Sequence, residues 1–226
     1  MNTLKLQYFF DPLCGWCYAS APALAGLAAA YPDALELMPS GLFSEHGARA
    51  MSPEWVAHAW GNDQRIARLT GQHYSEAYHR DVLQGEDVRF DSGPANRALT
   101  AIRMLAPRLE THFLHEMQRQ RYVEGLDTAL PSVLGNIAAA TGAESGIPLD
   151  AGQFSHRLMH DVLLEQATIE RIAVTQRLMQ RYGVAGIPQL LVRTGNSEQI
   201  LHGAVLYRGE QALLAAVERA ASSMAA

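Results

Sequence analysis

The chain contains two cysteines, three positions apart, in the run Cys14-Gly15-Trp16-Cys17. Two thiols at that spacing at the start of a helix can close a small disulfide and reopen it. The free backbone N–H groups and the positive dipole end at a helix N-terminus favour an anion. Cys14 is therefore read as the nucleophile, activated as a thiolate. Cys17, one turn into the helix and less exposed, is read as the resolving thiol. It attacks a mixed disulfide on Cys14 and releases the product; in reverse, the pair oxidises a substrate dithiol. Gly15-Trp16 carries neither a cation nor a proline, so the dipeptide leaves the direction of electron flow open. A purely structural pair is the bland alternative, and the spacing and the strand–helix position argue against it. A zinc site needs four ligands, and there is no second CxxC. His156 with His160, or His112 with His115, would have to complete it, and helical His pairs are more often solvated surface residues.

A second signal lies far downstream, in Tyr182-Gly-Val-Ala-Gly-Ile-Pro-Gln-Leu-Leu-Val192. Pro188 precedes an apolar run, a place where a strand tolerates proline. If the Ile187–Pro188 bond is cis, the main chain of Ile187 can be offered to an extended peptide. Read alone, Gly-Ile-Pro is a weak turn signal. Asp11, three residues before Cys14, could oppose a Cys14 thiolate or relay a proton to Cys17; the favoured role is a turn residue before Pro12. Trp16 is expected to be exposed beside the nucleophile and to pack against substrates. His46 reads as a solvated loop residue, and Trp55 and Trp60 as packing residues.

Elements must hold these residues in place. Leu4–Phe10 reads as a strand that stops at Asp11-Pro12. Cys14–Tyr31 reads as an Ala-rich helix, with Pro22 bending it by removing one amide donor. Leu35–Pro39 is a second strand, which completes a βαβ unit. From about residue 52 to 160 there is little β pattern. Ser52-Pro53 is an N-cap signal, and helices are expected over 63–69, 75–84, 94–105, 109–122 and 132–141. The block should hold about five to seven helices. A long helix over 165–182 ends at Gly183. Strands 189–193 and 199–202 then flank a Gly195-Asn196 turn, and a helix over 209–221 closes the chain. The order is βαβ, helical block, αββα, with no internal repeat.

Composition is that of a globular protein: 48% hydrophobic, 18% charged, net charge −5. That balance excludes a disordered chain and a nucleic-acid or anionic-membrane binder. Two cysteines do not make a secreted disulfide scaffold. The N-terminus lacks signal-peptide features and no segment approaches a membrane span, so a cytoplasmic location is expected.

CGWC after a strand, Pro22 five residues beyond Cys17, and YGVAGIP before a late strand together resemble thioredoxin-fold proteins. The long insertion, with FDPLCGWCYASAP, FSEHGARAMSPEW, NDQRIARLTG and SGPANRAL, resembles the DsbA family. The closest likeness is to a leaderless bacterial branch described as predicted protein-disulfide isomerases. The resemblance implies an α/β thioredoxin fold with a large all-helical insertion. The thioredoxin-fold domain would be 1–44 plus 163–226, and the inserted domain 45–162. It implies Cys14 as nucleophile, Cys17 as resolving thiol, a cis Pro188 facing them, and substrate contacts from Trp16, Ile187 and Pro188. Protein or peptide disulfides would be the substrates, with no bound cofactor and glutathione or thioredoxin as electron partner. A reductase or isomerase is the expected direction, because the His that stabilises the thiolate in strongly oxidising relatives is missing. Two other readings fit parts of this pattern. Kappa-type transferases and chromene-carboxylate isomerases share the layout but have Ser where the CxxC begins. A non-catalytic module binding partners between the domains would not need Cys14.

Overall fold

The computed structural model describes residues 4–225. Strand β1 (Leu4–Phe10) is the central strand, and residues 6–10 are buried on both of its faces. Leu6, Tyr8 and Phe10 face one core; Phe9 faces another, with Met38, Val184 and Leu191. The sheet order is β2-β1-β5-β6, where β2 is Leu35–Pro39, β5 Gln189–Thr194 and β6 Ser197–His202. β1 runs parallel to β2 and antiparallel to β5, with Phe10 opposite Pro39 and Phe9 opposite Gln189. β5 and β6 form the expected hairpin across Gly195, whose φ of 60° is the left-handed value such a turn requires.

The helix expected over Cys14–Tyr31 is two helices, α1 (Gly15–Ala19) and α2 (Ala21–Ala30). Ser20 joins them. Pro22 sits at the second position of α2, where its missing N–H costs nothing, rather than in a helix interior. The Ser20 hydroxyl donates to the Cys17 carbonyl at 2.8 Å.

Between β2 and β5 come α3 (Pro53–Thr70), α4 (Gly93–Leu105), α5 (Glu110–Tyr122), α6 (Pro131–Glu144), α7 (Ala151–His160) and α8 (Val162–Arg181). Ser52 caps α3 by accepting from the Trp55 amide at 3.2 Å. The block is not all-helical. A two-stranded ribbon pairs β3 (Arg49–Ala50) with β4 (Arg89–Phe90), too short to leave any alternation in the sequence. The helix expected over 75–84 is largely a π-helical segment, Tyr78–Leu83. The closing helix is α9 (Glu210–Ala225). No helix among the described residues is long and apolar enough to cross a membrane.

One buried cluster joins Leu6, Tyr8 and Phe10 of the sheet to Leu99, Ile102, Phe113 and Leu134 of the inserted helices. A second joins Leu13, Tyr18 and Ala19 to Ile66, Tyr74, Tyr78 and Tyr122. The inserted helices therefore complete the core on the side of β1 from which the CGWC run emerges. Ion pairs pin the same elements. Buried Glu110 on α5 meets Arg171 on α8 at 2.5 Å, and Arg171 also donates to the Leu37 carbonyl of β2 at 2.7 Å.

Candidate active site

The site begins where β1 ends. Asp11 turns the chain: its Oδ1 accepts from the Leu13 amide at 3.0 Å, and its carbonyl from the Cys14 amide at 3.1 Å. The turn role expected for Asp11 is therefore present, but it is not the whole role. Asp11 is fully buried, and its Oδ2 accepts from the Phe43 amide at 3.2 Å and the Ser92 hydroxyl at 2.8 Å. One carboxyl thus ties β1, the loop after β2 and the residue before α4. Burial pushes its pKa up to about 6 despite these donors.

Cys14 is the N-cap residue of α1, half-buried, and Cys17 is buried one turn on; both are free thiols. Burial and the nearby Cys14 raise the Cys17 pKa, and the Asp11 charge adds to that, while the Asp11 amide works against it. Tyr8, on β1 beneath the pair, is fully buried; its phenol is hydrogen-bonded to the Ser20 hydroxyl and lies against Cys17. Nothing local in the sequence singles out Tyr8, which lies on the face of β1 that also carries Leu6 and Phe10.

Side chains from the insertion hold the turn itself. Tyr122 donates to the Leu13 carbonyl and Tyr74 to the Gly15 carbonyl, each at 2.8 Å. Gln118 reaches the Pro12 carbonyl at 3.5 Å. Tyr18 stacks on Tyr122 with centroids 4.6 Å apart, and Tyr74 meets both rings edge-on. Each such aromatic pair adds about 0.5–1.5 kcal/mol beyond area burial. The insertion thus reaches the Pro12 and Leu13 carbonyls of the turn and adds a side-chain donor to the Gly15 carbonyl at the start of α1.

The Ile187–Pro188 bond is cis. The register Phe9–Gln189 carries Pro188 to the end of β1, the point from which Cys14 departs. Pro188 is buried and Ile187 half-buried, and Ile187 and Cys14 both pack on the main cluster. A cavity of about 490 Å³ opens beside Ile187, lined also by Leu42, Gln176, Met179 and Val184. Trp16 is half-buried rather than exposed, because its ring leans on Tyr207 at 4.9 Å. His46 is exposed, and Trp55 and Trp60 are half-buried packing residues. His156 and His160 lie with ring centroids 4.5 Å apart on α7. Among the described residues no group of three or more His, Cys, Asp or Glu could hold a metal.

Residues 5–209 match the DSBA-like thioredoxin domain. The chain belongs to the DsbA-like thioredoxin family. It is a thioredoxin-fold protein with a largely helical insertion, and its family membership makes it a disulfide oxidoreductase. It is similar to the cytosolic disulfide reductase DsbM from Pseudomonas aeruginosa, at 29% identity and a TM-score of 0.78, over 95% of this chain and 97% of that one. A structure of DsbM with GSH aligns at a TM-score of 0.77, over 95% of this chain and 98% of that one. A putative protein disulfide isomerase from Nitrosomonas europaea shares the fold at 22% identity and a TM-score of 0.73, over 96% and 97%. Among curated proteins, none matches this sequence.

Proposed function

We propose that this DsbA-like protein is a cytoplasmic disulfide reductase or isomerase that works through Cys14 and Cys17 and is recycled by glutathione. The Cys14 thiolate attacks one sulfur of a substrate disulfide. A Cys14–substrate disulfide forms and the other substrate sulfur leaves as thiolate. Cys17 then gives up its proton, and its thiolate attacks the Cys14 sulfur. This closes the Cys14–Cys17 disulfide and releases the second substrate thiol. Two glutathione thiols return the pair to dithiol and become glutathione disulfide, so two electrons pass from glutathione to substrate. Isomerisation is the same first step followed by attack from another substrate thiol.

The observation that carries the reading is the asymmetry of the pair: Cys14 is half-buried at a helix N-cap, while Cys17 is buried above Tyr8 and near Asp11. Asp11 is the proposed acceptor of the Cys17 proton. The proposed substrate path runs along the main chain of Ile187 and Pro188, with Trp16 as its other wall. The reducing direction, the compartment and glutathione are supported by the likeness to a protein named as a cytosolic disulfide reductase and also seen with GSH.

Insulin reduction and refolding of scrambled ribonuclease, each with glutathione, test the reading on wild type, Cys14→Ser and Cys17→Ser. Wild type should act in at least one assay and Cys14→Ser in neither. Cys17→Ser should accumulate mixed disulfides. Full activity of Cys14→Ser, or none in wild type, would sink it.

A further inference from the structure

Gly15 lies inside the redox turn, yet its backbone is not in the left-handed region that would demand glycine. What excludes a side chain there is a neighbour. A Cβ on Gly15 would overlap the Oδ1 of Asp63 on α3 and come within 3.1 Å of the Ile66 Cδ1. The Asp63 carboxyl, only 4% exposed, is thus packed onto the residue next to Cys14. Its other oxygen accepts from the Tyr78 hydroxyl at 3.0 Å. Tyr74, which holds the Gly15 carbonyl, feels the charges of both Asp63 and Cys14. The cation on this side is Arg121, fully buried against the Tyr78 and Phe90 rings, and it makes no hydrogen bond to Asp63. Tyr122 completes the ring of titratable groups about Asp63. On the far side of the pair, Tyr8 faces both cysteines and the Asp11 charge faces Cys17.

We propose that Asp63 is a positioning and tuning residue for the redox pair: its carboxylate, set against Gly15, opposes the Cys14 thiolate and so makes the dithiol a stronger reductant. The inference rests on the disulfide exchange proposed above. A stabilised thiolate lowers the energy of the reduced pair and makes it oxidising; a destabilised one has the reverse effect. Burial pushes the Asp63 pKa up to about 7, so the opposition switches on across neutral pH. A glycine between the cysteines is what lets the inserted helix bring that charge so close.

The test is the ultraviolet titration of the Cys14 thiolate, together with the thiol–disulfide equilibrium against glutathione. Asp63→Asn should raise the thiolate fraction near neutral pH on the order of tenfold and shift the equilibrium toward reduced enzyme by a similar factor. The wild-type titration should also carry a step near pH 7 that the variant lacks. Asp11→Asn should leave that step in place, which separates the two carboxyls. A folded Asp63→Asn protein with wild-type titration and equilibrium overturns the inference. Should Asp63→Asn fail to fold, Tyr78→Phe decides. It removes the donor to Asp63, so the step should move to higher pH; an unmoved step overturns the inference. A wild type that reduces no disulfide would instead defeat the functional reading, and the titration would still decide the role of Asp63.

Discussion

Replacing Asp11 by Asn should make the protein more stable at neutral pH, and by an amount that depends on pH. The carboxyl is fully buried and its pKa rises from 3.8 to about 6, chiefly through lost hydration. The sign follows from linkage. Between those values the folded state holds a proton that the unfolded state has released, so stability falls as pH climbs through the window. Below the unfolded value there is no penalty; above about pH 6 it is complete. The shift corresponds to about 3 kcal/mol at full ionisation, of which about 2 kcal/mol develops between pH 4 and pH 8. Asparagine removes the ionisation but cannot accept from every donor that Asp11 serves, so its net gain is smaller. The change in gain between the two pH values isolates the charge. Urea unfolding of reduced wild type and Asp11→Asn at each pH measures it. A gain that is the same at both pH values, or a variant weakened more at the higher pH, would refute the assignment of a buried ionising carboxylate. In the mechanism proposed here the same variant should also slow release of a pre-formed Cys14 mixed disulfide, since Cys17 loses its proton acceptor.

Two further perturbations probe the scaffold. Tyr122→Phe leaves the buried Leu13 carbonyl without its 2.8 Å donor; it should cost about 1–3 kcal/mol in urea unfolding and lower the rate of insulin reduction. Arg171→Met removes the nearer of the two cations that face the buried Glu110 carboxylate and leaves Arg103 at 3.7 Å; it should cost about 1–3 kcal/mol. Adding Glu110→Leu to it should recover much of that loss.

The elements that the sequence made legible are those with local causes. β1 and β2 fall where their β-rich runs stop at Asp11-Pro12 and Pro39, and the hairpin falls at Gly195. The break at Ser20 was not readable, since Pro22 inside an Ala-rich run fits a bent helix as well as a helix start. The cysteine pair and the Ile-Pro step stand out by residue type alone. Tyr8, Asp63, Tyr74 and Tyr122 do not, because each acts on the CGWC turn across the fold. Their sequence neighbourhoods look like ordinary strand or helix. Asp11 lies between these cases: its turn chemistry is local, whereas its burial under Phe43 and Ser92 is set by distant segments.

The pairing of β1 with β5 also dictates an order of events in the living cell. The CGWC run leaves the ribosome early, and the strand that places Pro188 beside it is made roughly 170 residues later. At about 5–20 residues per second that is a delay of about 10–35 s. Throughout it, β1 lacks its partner on one edge and two thiols are carried on an unfinished scaffold. A growing chain thus holds both thiols before it holds the Ile187–Pro188 segment proposed to line the substrate path. Under that proposal, selectivity among substrates comes only when synthesis is nearly finished.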